Sequence, residues 1–150
     1  MALIFNILWF ILGGGFLAAL FWLFFGLLLC ITVIGIPFGI ASFRIASFAA
    51  FPFGKELIDA RKVGETRIPT TALANFLWII LAGLWLTIGH VIAGIGLCLT
   101  IIGIPFGLAH FKLAAVSFAP LGKRIVPKDT AHAANLRVAS EDLKKRFKKD

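Results

Sequence analysis

Residues 30–39 read Cys-Ile-Thr-Val-Ile-Gly-Ile-Pro-Phe-Gly, and residues 98–107 read Cys-Leu-Thr-Ile-Ile-Gly-Ile-Pro-Phe-Gly. The offset between the two stretches is 68, from position 30 to position 98, and the correspondence continues downstream at the same offset. Upstream, the Asn-x-Leu-Trp sequence at residues 6–9 returns at residues 75–78, at an offset of 69, so one residue was lost between these matches. A match of this length and detail indicates that the chain contains one unit twice.

Each unit contains a long uncharged segment. No charged side chain occurs from Met1 to Phe43, and none occurs from Ile68 to Phe111. Crossing the hydrocarbon of a bilayer takes about 20 apolar helical residues, and each segment is about twice that long. With 60% hydrophobic residues in 150, a soluble domain would have too little interior to bury them. The sequence therefore predicts an integral membrane protein, with its first helix retained rather than cleaved as a signal peptide.

The length of each unit suits two crossings joined by a tight turn. Turns at Gly26 and at Gly94 with Gly96 would give helices at roughly 3–25, 27–53, 72–93 and 97–121. We therefore expect an all-α fold of four transmembrane helices, arranged as two parallel helical-hairpin repeats. The expected divisions are a first membrane repeat at 3–54, a cytoplasmic loop at 55–71, a second membrane repeat at 72–123 and a basic cytoplasmic tail at 124–150.

The repeated Gly-Ile-Pro-Phe-Gly motif is expected to break a helix. Its residues are Gly35, Pro37 and Gly39 in the first copy, and Gly103, Pro105 and Gly107 in the second. Proline removes an intrahelical hydrogen bond and glycine loosens the backbone, which predicts a kink within the second helix of each hairpin. The alternative places the motif at the outer turn and leaves a short second helix of about 15 residues, re-entrant or strongly tilted. A kink would serve close packing, whereas a break would free backbone groups to line a site between the repeats.

The net charge of +8 is concentrated in two segments outside the apolar blocks. Of the 15 basic residues, nine lie between Lys123 and Lys149 and four lie at 55–67. Such segments are typical of the cytoplasmic side of a membrane, near anionic lipids, so both termini are predicted to be cytoplasmic. No aromatic residues are interleaved for base stacking, so nucleic acid is not an expected partner. The tail predicts an amphipathic helix that lies on the membrane surface or docks on another subunit.

Arg44 and Lys112 are the only cations within the apolar segments, and they match each other in the two copies. Each lies about three helical turns before the predicted cytoplasmic end, so its long side chain could reach lipid headgroups by snorkelling. Alternatively, both could face a pore, which positive charge without carboxylates would make selective for anions. His110 lies beside Lys112 and joins this candidate site, while His90 is expected to lie at the outer interface.

The sequence lacks the residues of an enzyme active site. The apolar segments contain neither Asp nor Glu, and the two histidines in them are isolated along the chain. Cys30 and Cys98 occupy equivalent positions and are expected to be small buried hydrophobic side chains. We expect no catalytic residue, no metal site and no cofactor.

The motifs resemble those of the YccF family, also called the inner membrane component domain. The resemblance rests on Asn-Phe-Leu-Trp at residues 75–78, on Ile-Gly-Ile-Pro-Phe-Gly at 102–107, on Phe-Lys-Leu-Ala at 111–114, and on their first-copy equivalents. It covers about residues 3–126. It implies a small protein of the bacterial inner membrane with two domain copies, and it brings no established activity with it.

Two functional hypotheses follow. The first is an oligomeric channel or transporter component, anion-preferring if it conducts, motivated by the paired breaks and the paired cations. The second is a structural or accessory membrane protein that binds lipid or a larger membrane partner. In both, the expected partners are membrane lipids, anionic on the cytoplasmic side, and further copies of the chain.

Overall fold

The computed structural model describes residues 1–66 and 68–147, which are mostly helical, as predicted. A π-helical segment, Ile79–Gly83, joins α4 to α5, and a 3-10 turn, Ala60–Val63, follows β1. The regular elements are α1 (Ala2–Leu12), α2 (Gly15–Cys30), α3 (Ile36–Ala50), β1 (Lys55–Asp59), α4 (Thr71–Trp78), α5 (Leu84–Cys98), α6 (Ile104–Phe118), β2 (Lys123–Pro127) and α7 (Lys128–Phe147).

Within the described ranges, one helix is long and apolar enough to cross a membrane. It is Thr71–Cys98, which has 28 residues and combines α4, the π segment and α5. Only 11% of its most apolar stretch is buried inside the chain, so its side chains face outward. The pair α1 and α2 passes the same test if taken as one span, although it is bent by 73°. The apolar helices α3 and α6 have 15 residues each, and four full crossings stay a prediction.

The Gly-Ile-Pro-Phe-Gly motif lies at the turn between two helices, so the predicted kink inside a helix is wrong. Pro37 lies in the first turn of α3. Backbone N–H groups there have no intrahelical partner, so the N–H that proline lacks costs the helix no hydrogen bond. The turn is held by Thr32, whose hydroxyl donates to the Leu29 carbonyl (3.1 Å) and accepts from the Gly35 N–H (3.0 Å). Thr100 makes the equivalent two bonds in the second copy. The alternative of a turn followed by a 15-residue helix matches the structure, while the outer position of that turn stays a prediction.

The glycines predicted to turn the chain instead lie inside helices. Gly26 belongs to α2, and residues 94–96 belong to α5. A Cβ atom at Gly26 would lie 2.7 Å from the Phe43 ring, and one at Gly39 would lie 2.8 Å from the Gly26 carbonyl. Gly94 has the equivalent contact with Phe111. These glycines let the two helices of a hairpin approach closely, a use of glycine that sequence alone does not distinguish from a turn.

The asparagine of each Asn-x-Leu-Trp sequence binds the backbone just after the returning helix. Asn6 accepts from the Phe53 N–H (2.9 Å) and donates to the Phe53 carbonyl (3.1 Å). Asn75 binds the N–H (3.1 Å) and carbonyl (3.0 Å) of Leu121 in the same way. Each pair of bonds fixes the chain where it leaves the hairpin for the strand.

The tryptophan one turn later binds the returning helix itself. Trp9 donates to the Ala49 carbonyl (2.6 Å), and Trp78 donates to the Ser117 carbonyl (2.8 Å). Carbonyls in the last turn of a helix lack an intrahelical partner, and these indoles supply one. The asparagine and tryptophan together form what we call the Asn–Trp clamp of each copy.

The two copies differ where the first helix is interrupted. In the first copy, residues 13–15 are all glycine, Gly14 has φ +84°, and the chain bends by 73° between α1 and α2. In the second copy the helix continues through the π segment. The first copy has one residue more between its matched Trp and Gly than the second. The second copy therefore lacks one residue in this stretch, which in the first copy contains the interruption between α1 and α2.

A pair of strands joins the copies, and the prediction of an all-α chain misses it. β1 and β2 pair antiparallel, with Leu57 opposite Ile125 at the centre of the register. These two residues are equivalent at the offset of 68, so the sheet has an approximate twofold axis between them. Their segments were predicted as a loop and a tail, because short strands distant in sequence leave little local signal.

Helix α7 packs against the sheet through small residues. Ala131 and Ala134 are buried with Ile58 of β1, and Lys62 donates to the Asn135 side chain (2.7 Å). The predicted tail helix thus docks on its own chain; we call β1, β2, the 3-10 turn and α7 the polar cap. The large apolar side chains of this predicted amphipathic helix stay exposed, at Leu136, Leu143 and Phe147.

Between the copies, an apolar seam fills the space under the cap. Ile45 and Phe48 of α3 and Leu113 and Val116 of α6 are at most 2% exposed and belong to one cluster. Large apolar side chains on the outer faces of the helices are exposed instead. Such a surface suits contact with lipid, because soluble proteins rarely expose apolar patches of this extent.

Candidate functional site

A cavity of about 300 Å³ opens where α3 meets the sheet, and three cations line it. Arg44 comes from α3, whereas Lys55 and Arg124 come from the two strands. The remaining lining residues are Ser47, Phe48, Ile125, Val126 and Pro127. Because the three cations converge on one space, the arrangement is suited to an anion; we call it the cationic cavity.

The fold positions each cation by a separate element. Arg44 lies in the third turn of α3 and is exposed. The end of α3 leads directly into β1, and Lys55 Nζ lies 3.5 Å from the Ser47 carbonyl. Arg124 reaches the cavity only because β2 pairs with β1.

A carboxylate contacts this group of cations. Arg124 Nε donates to Glu65 Oε1, and this hydrogen bond lowers the pKa of Glu65. The charges of Arg124 and Arg44 lower the pKa of Glu65 further, while desolvation opposes them. Glu65 therefore stays ionised at neutral pH and neutralises part of the positive charge of the cavity.

Lys112, the sequence equivalent of Arg44, has a different environment. Its Nζ donates to the Lys55 carbonyl (3.0 Å), which ties α6 to the first strand. Arg44 lies at the cavity with no such backbone bond among the described residues. The structure thus separates the two cations that the sequence grouped as one site.

His110 lies apart from both cations and contacts His90. Their Nδ1 atoms are 3.1 Å apart, and the rings of His110 and Trp9 form a T-shaped contact at a centroid distance of 5.1 Å. Isolated along the sequence, the two histidines form a pair because α5 and α6 pack side by side. His90 is therefore not a lone interfacial side chain.

The motif residues Gly35, Pro37, Gly39, Gly103, Pro105 and Gly107 lie at or just after the hairpin turns. They line neither the cationic cavity nor the space beside the histidines. Sequence reasoning also missed Lys55 and Arg124 as site residues, since only strand pairing brings them together. The positive charge of these two residues was the one feature of the sequence that could have suggested a role in binding an anion.

No group of three or more His, Cys, Asp or Glu side chains that could hold a metal ion occurs in residues 1–66 and 68–147. The two cysteines are free and partly buried. The site with the clearest chemistry is thus the group of cations at the boundary between apolar helices and polar cap.

Comparison with known proteins supports a membrane protein of this kind. Residues 4–55 and 73–123 each match the inner membrane component domain. The chain is 36% identical over 139 residues to the inner membrane protein YccF of Escherichia coli (strain K12), covering 89% of this chain and 93% of that protein. The protein of the same name from Shigella flexneri matches to the same extent. No solved structure matches the chain.

Apolar outward-facing helices, a basic cap and these matches define a component of the inner membrane. Within that class, the chain belongs to the YccF family. The activity of such an inner membrane component is not established.

Proposed function

We propose that the protein is a non-enzymatic structural or accessory component of the inner membrane that binds the phosphate groups of anionic lipids. The observation that carries this proposal is the cationic cavity, where Arg44, Lys55 and Arg124 line one space of about 300 Å³. Arginine and lysine form charge-assisted hydrogen bonds to phosphate, and arginine can do so with two parallel bonds.

The position of the cavity supports a lipid as the source of the phosphate. Its floor is α3, an apolar helix, and its roof is the sheet of the polar cap. In the orientation that we propose, this is the level at which the bilayer would change from hydrocarbon to headgroups. The basic cap would then face the cytoplasm, where anionic lipids attract basic segments by about 1 kcal/mol per cation.

Lipid binding is testable with the full chain in a non-ionic detergent. Native mass spectrometry would count bound phosphatidylglycerol against phosphatidylcholine. We expect a preference for phosphatidylglycerol, and we expect Arg44→Gln with Arg124→Gln to weaken it about tenfold, equivalent to about 1.4 kcal/mol.

The matched control is Arg61→Gln with Arg137→Gln, which removes the same charge from the cap outside the cavity. Equal losses in both double variants would show only a diffuse attraction to the surface and would refute the site. Displacement of the lipid by millimolar inorganic phosphate would instead identify a site for a free anion.

The oligomeric channel predicted from the sequence uses some of the same cations. Inside one chain the apolar seam fills the space between α3 and α6, so a conducting path along these cations would have to form between subunits. Chloride flux in reconstituted vesicles, abolished by Arg44→Ala with Lys112→Ala, would favour this alternative. Phosphatidylglycerol binding without flux under any gradient favours the accessory function.

A further inference from the structure

A second cavity, of about 340 Å³, lies between the two copies and does not include the cations. Its walls come from three helices: α2 supplies Phe21 and Trp22, α5 supplies Trp85 and His90, and α6 supplies His110. Trp85 is 67% exposed and Phe21 is 47% exposed, so the cavity borders the outer surface of the helices. We call it the histidine cavity; a ligand would enter it sideways from the membrane.

The histidine pair offers one donor and one acceptor. Since the two Nδ1 atoms share a hydrogen bond of 3.1 Å, one of them donates and the other accepts. In the uncharged pair, the ring that donates through Nδ1 has a bare Nε2, and the other ring carries its proton on Nε2. Neither Nε2 bonds to any residue that the structure describes. Since either histidine can be the one that donates through Nδ1, an Nε2 atom of the pair is a donor or an acceptor, and a hydroxyl group complements both.

The side chain of Trp22 also borders this cavity. It is fully buried, yet its Nε1 has no hydrogen-bond partner within the described part of the chain. A buried indole N–H usually has a hydrogen-bond partner, so Trp22 is unusual in this respect. By contrast, the indoles of Trp9 and Trp78 both donate to carbonyls.

Comparison of the copies shows that hairpin packing does not require the histidines. At the offset of 68, His90 corresponds to Trp22 and His110 corresponds to Ser42. The first hairpin makes the same glycine-mediated crossing, and Ser42 donates to the Phe38 carbonyl within its own helix (2.8 Å). The pair in the second copy is therefore available for another role.

We propose that the histidine cavity binds an uncharged membrane amphiphile whose polar end is a hydroxyl group. The hydroxyl forms one hydrogen bond with the pair, either donating to a bare Nε2 or accepting from an Nε2–H. The apolar chain lies along Phe21 and Trp85 toward the lipid. A charged headgroup is disfavoured, because the cavity lining contains no Lys, Arg, Asp or Glu among the described residues. This site is separate from the cationic cavity, so neither proposal depends on the other.

The probe is a long-chain alcohol with a diazirine group, incorporated with the full-length protein in phosphatidylcholine vesicles. After illumination, mass spectrometry of peptides would locate the labelled residues. We expect labels to concentrate at Phe21, Trp85 and Ala93 and to be suppressed by an excess of the unlabelled alcohol. His90→Leu should lower this labelling about tenfold, the effect of a lost buried hydrogen bond.

Two further variants keep the test decisive if His90→Leu fails to fold. His110→Ser introduces the residue of the first copy and should also lose the label, whereas His90→Gln keeps a donor and an acceptor and should retain most of it. His132→Leu, an exposed position on α7, is the control and should change nothing. The proposal would be overturned if labels were spread evenly along the outer helix faces and were not suppressed by the unlabelled alcohol. It would also be overturned if labelling were unchanged in His90→Leu and His110→Ser. Equal labelling by a diazirine phosphatidylglycerol would overturn the uncharged headgroup.

Discussion

At the scale of single residues, the stability of each hairpin depends on the Asn–Trp clamp. Its side chains reach far along the sequence to bind backbone groups at the end of the returning helix. Where water is scarce, a backbone group that loses its partner finds no replacement. The Asn-x-Leu-Trp sequence is therefore explained by hydrogen bonding within the fold rather than by contact with a ligand.

Replacing Asn75 by Leu should destabilise the protein by about 1–3 kcal/mol, because the N–H and carbonyl of Leu121 both lose their partner. Thermal unfolding in detergent, followed by tryptophan fluorescence, would measure the loss. Asn135→Leu, which removes only an exposed hydrogen bond from Lys62, is the control and should have a smaller effect. An unchanged melting temperature for Asn75→Leu would show that the clamp contributes little.

Glu65 should oppose anionic lipid, because it competes for Arg124. Glu65→Gln removes that competitor, so phosphatidylglycerol binding should increase. Since the folded-state pKa of Glu65 is lowered from 4.5, its ion pair stabilises the fold above that pH and is lost as the pH falls through the lower folded value. The difference in binding between the wild type and the variant should therefore shrink in strongly acidic buffer, where Glu65 becomes uncharged. A decrease in binding for Glu65→Gln would contradict this role.

At the scale of elements, the sequence indicated the helical hairpins but not their boundaries. Glycine at 26 and proline at 37 were read as a turn and a kink, whereas the structure has a close helix crossing and a helix start. Both readings follow from the same backbone properties, so the local sequence could not choose between them. The contacts with the facing helix determine the role of each residue. That helix lies too far along the chain for the periodicity of the local sequence to show these contacts.

Gly107→Ala tests the close crossing. Its Cβ atom would collide with Cys98 Sγ and lie 2.7 Å from the Gly94 carbonyl, so we expect a loss of about 1–3 kcal/mol. The matched control is Gly96→Ala on the facing helix, where nothing lies within 4 Å. That change should stabilise the helix by about 0.5–1 kcal/mol. Equal effects of the two substitutions on the melting temperature would refute the crossing as the cause.

The hairpin turns are suited to lie in hydrocarbon. The large apolar side chains of the turns are 84–87% exposed, at Val33, Ile34, Ile101 and Ile102. The hydroxyls of Thr32 and Thr100 donate to backbone carbonyls and so need no water. We expect a cysteine at position 33, in a chain with Cys30→Ala and Cys98→Ala, to resist a membrane-impermeant maleimide in intact cells. Labelling should appear after detergent is added. Labelling of intact cells would show that the turn reaches water.

At the scale of the whole molecule, the sheet is what joins the two copies. The sequence predicted the duplication and the basic character of the connecting segments. It could not predict the cationic cavity, because Lys55 and Arg124 belong to different copies and meet only through the antiparallel register. The same limit applies to His90 and His110, which adjacent helices bring together.

The register itself can be tested by a disulfide. With the two native cysteines replaced by Ala, Leu57→Cys and Ile125→Cys should form a bond within one chain, since these residues are opposite each other. Intact mass before and after reduction would show it. Leu57→Cys with Arg124→Cys, one step out of register, should form the bond more slowly. Bonds mainly between chains would show that the strands pair across subunits instead.

The pairing of β1 with β2 also constrains how the protein is made. The first strand ends at Asp59 and the second begins only at Lys123, so the first leaves the ribosome well before its partner exists. At roughly 5–20 residues per second, the first strand waits about 3–13 s with one edge open. During that time the first hairpin has to enter the membrane unassisted by the second, and any chaperone or insertase that attends synthesis meets a half-built protein with an unpaired strand.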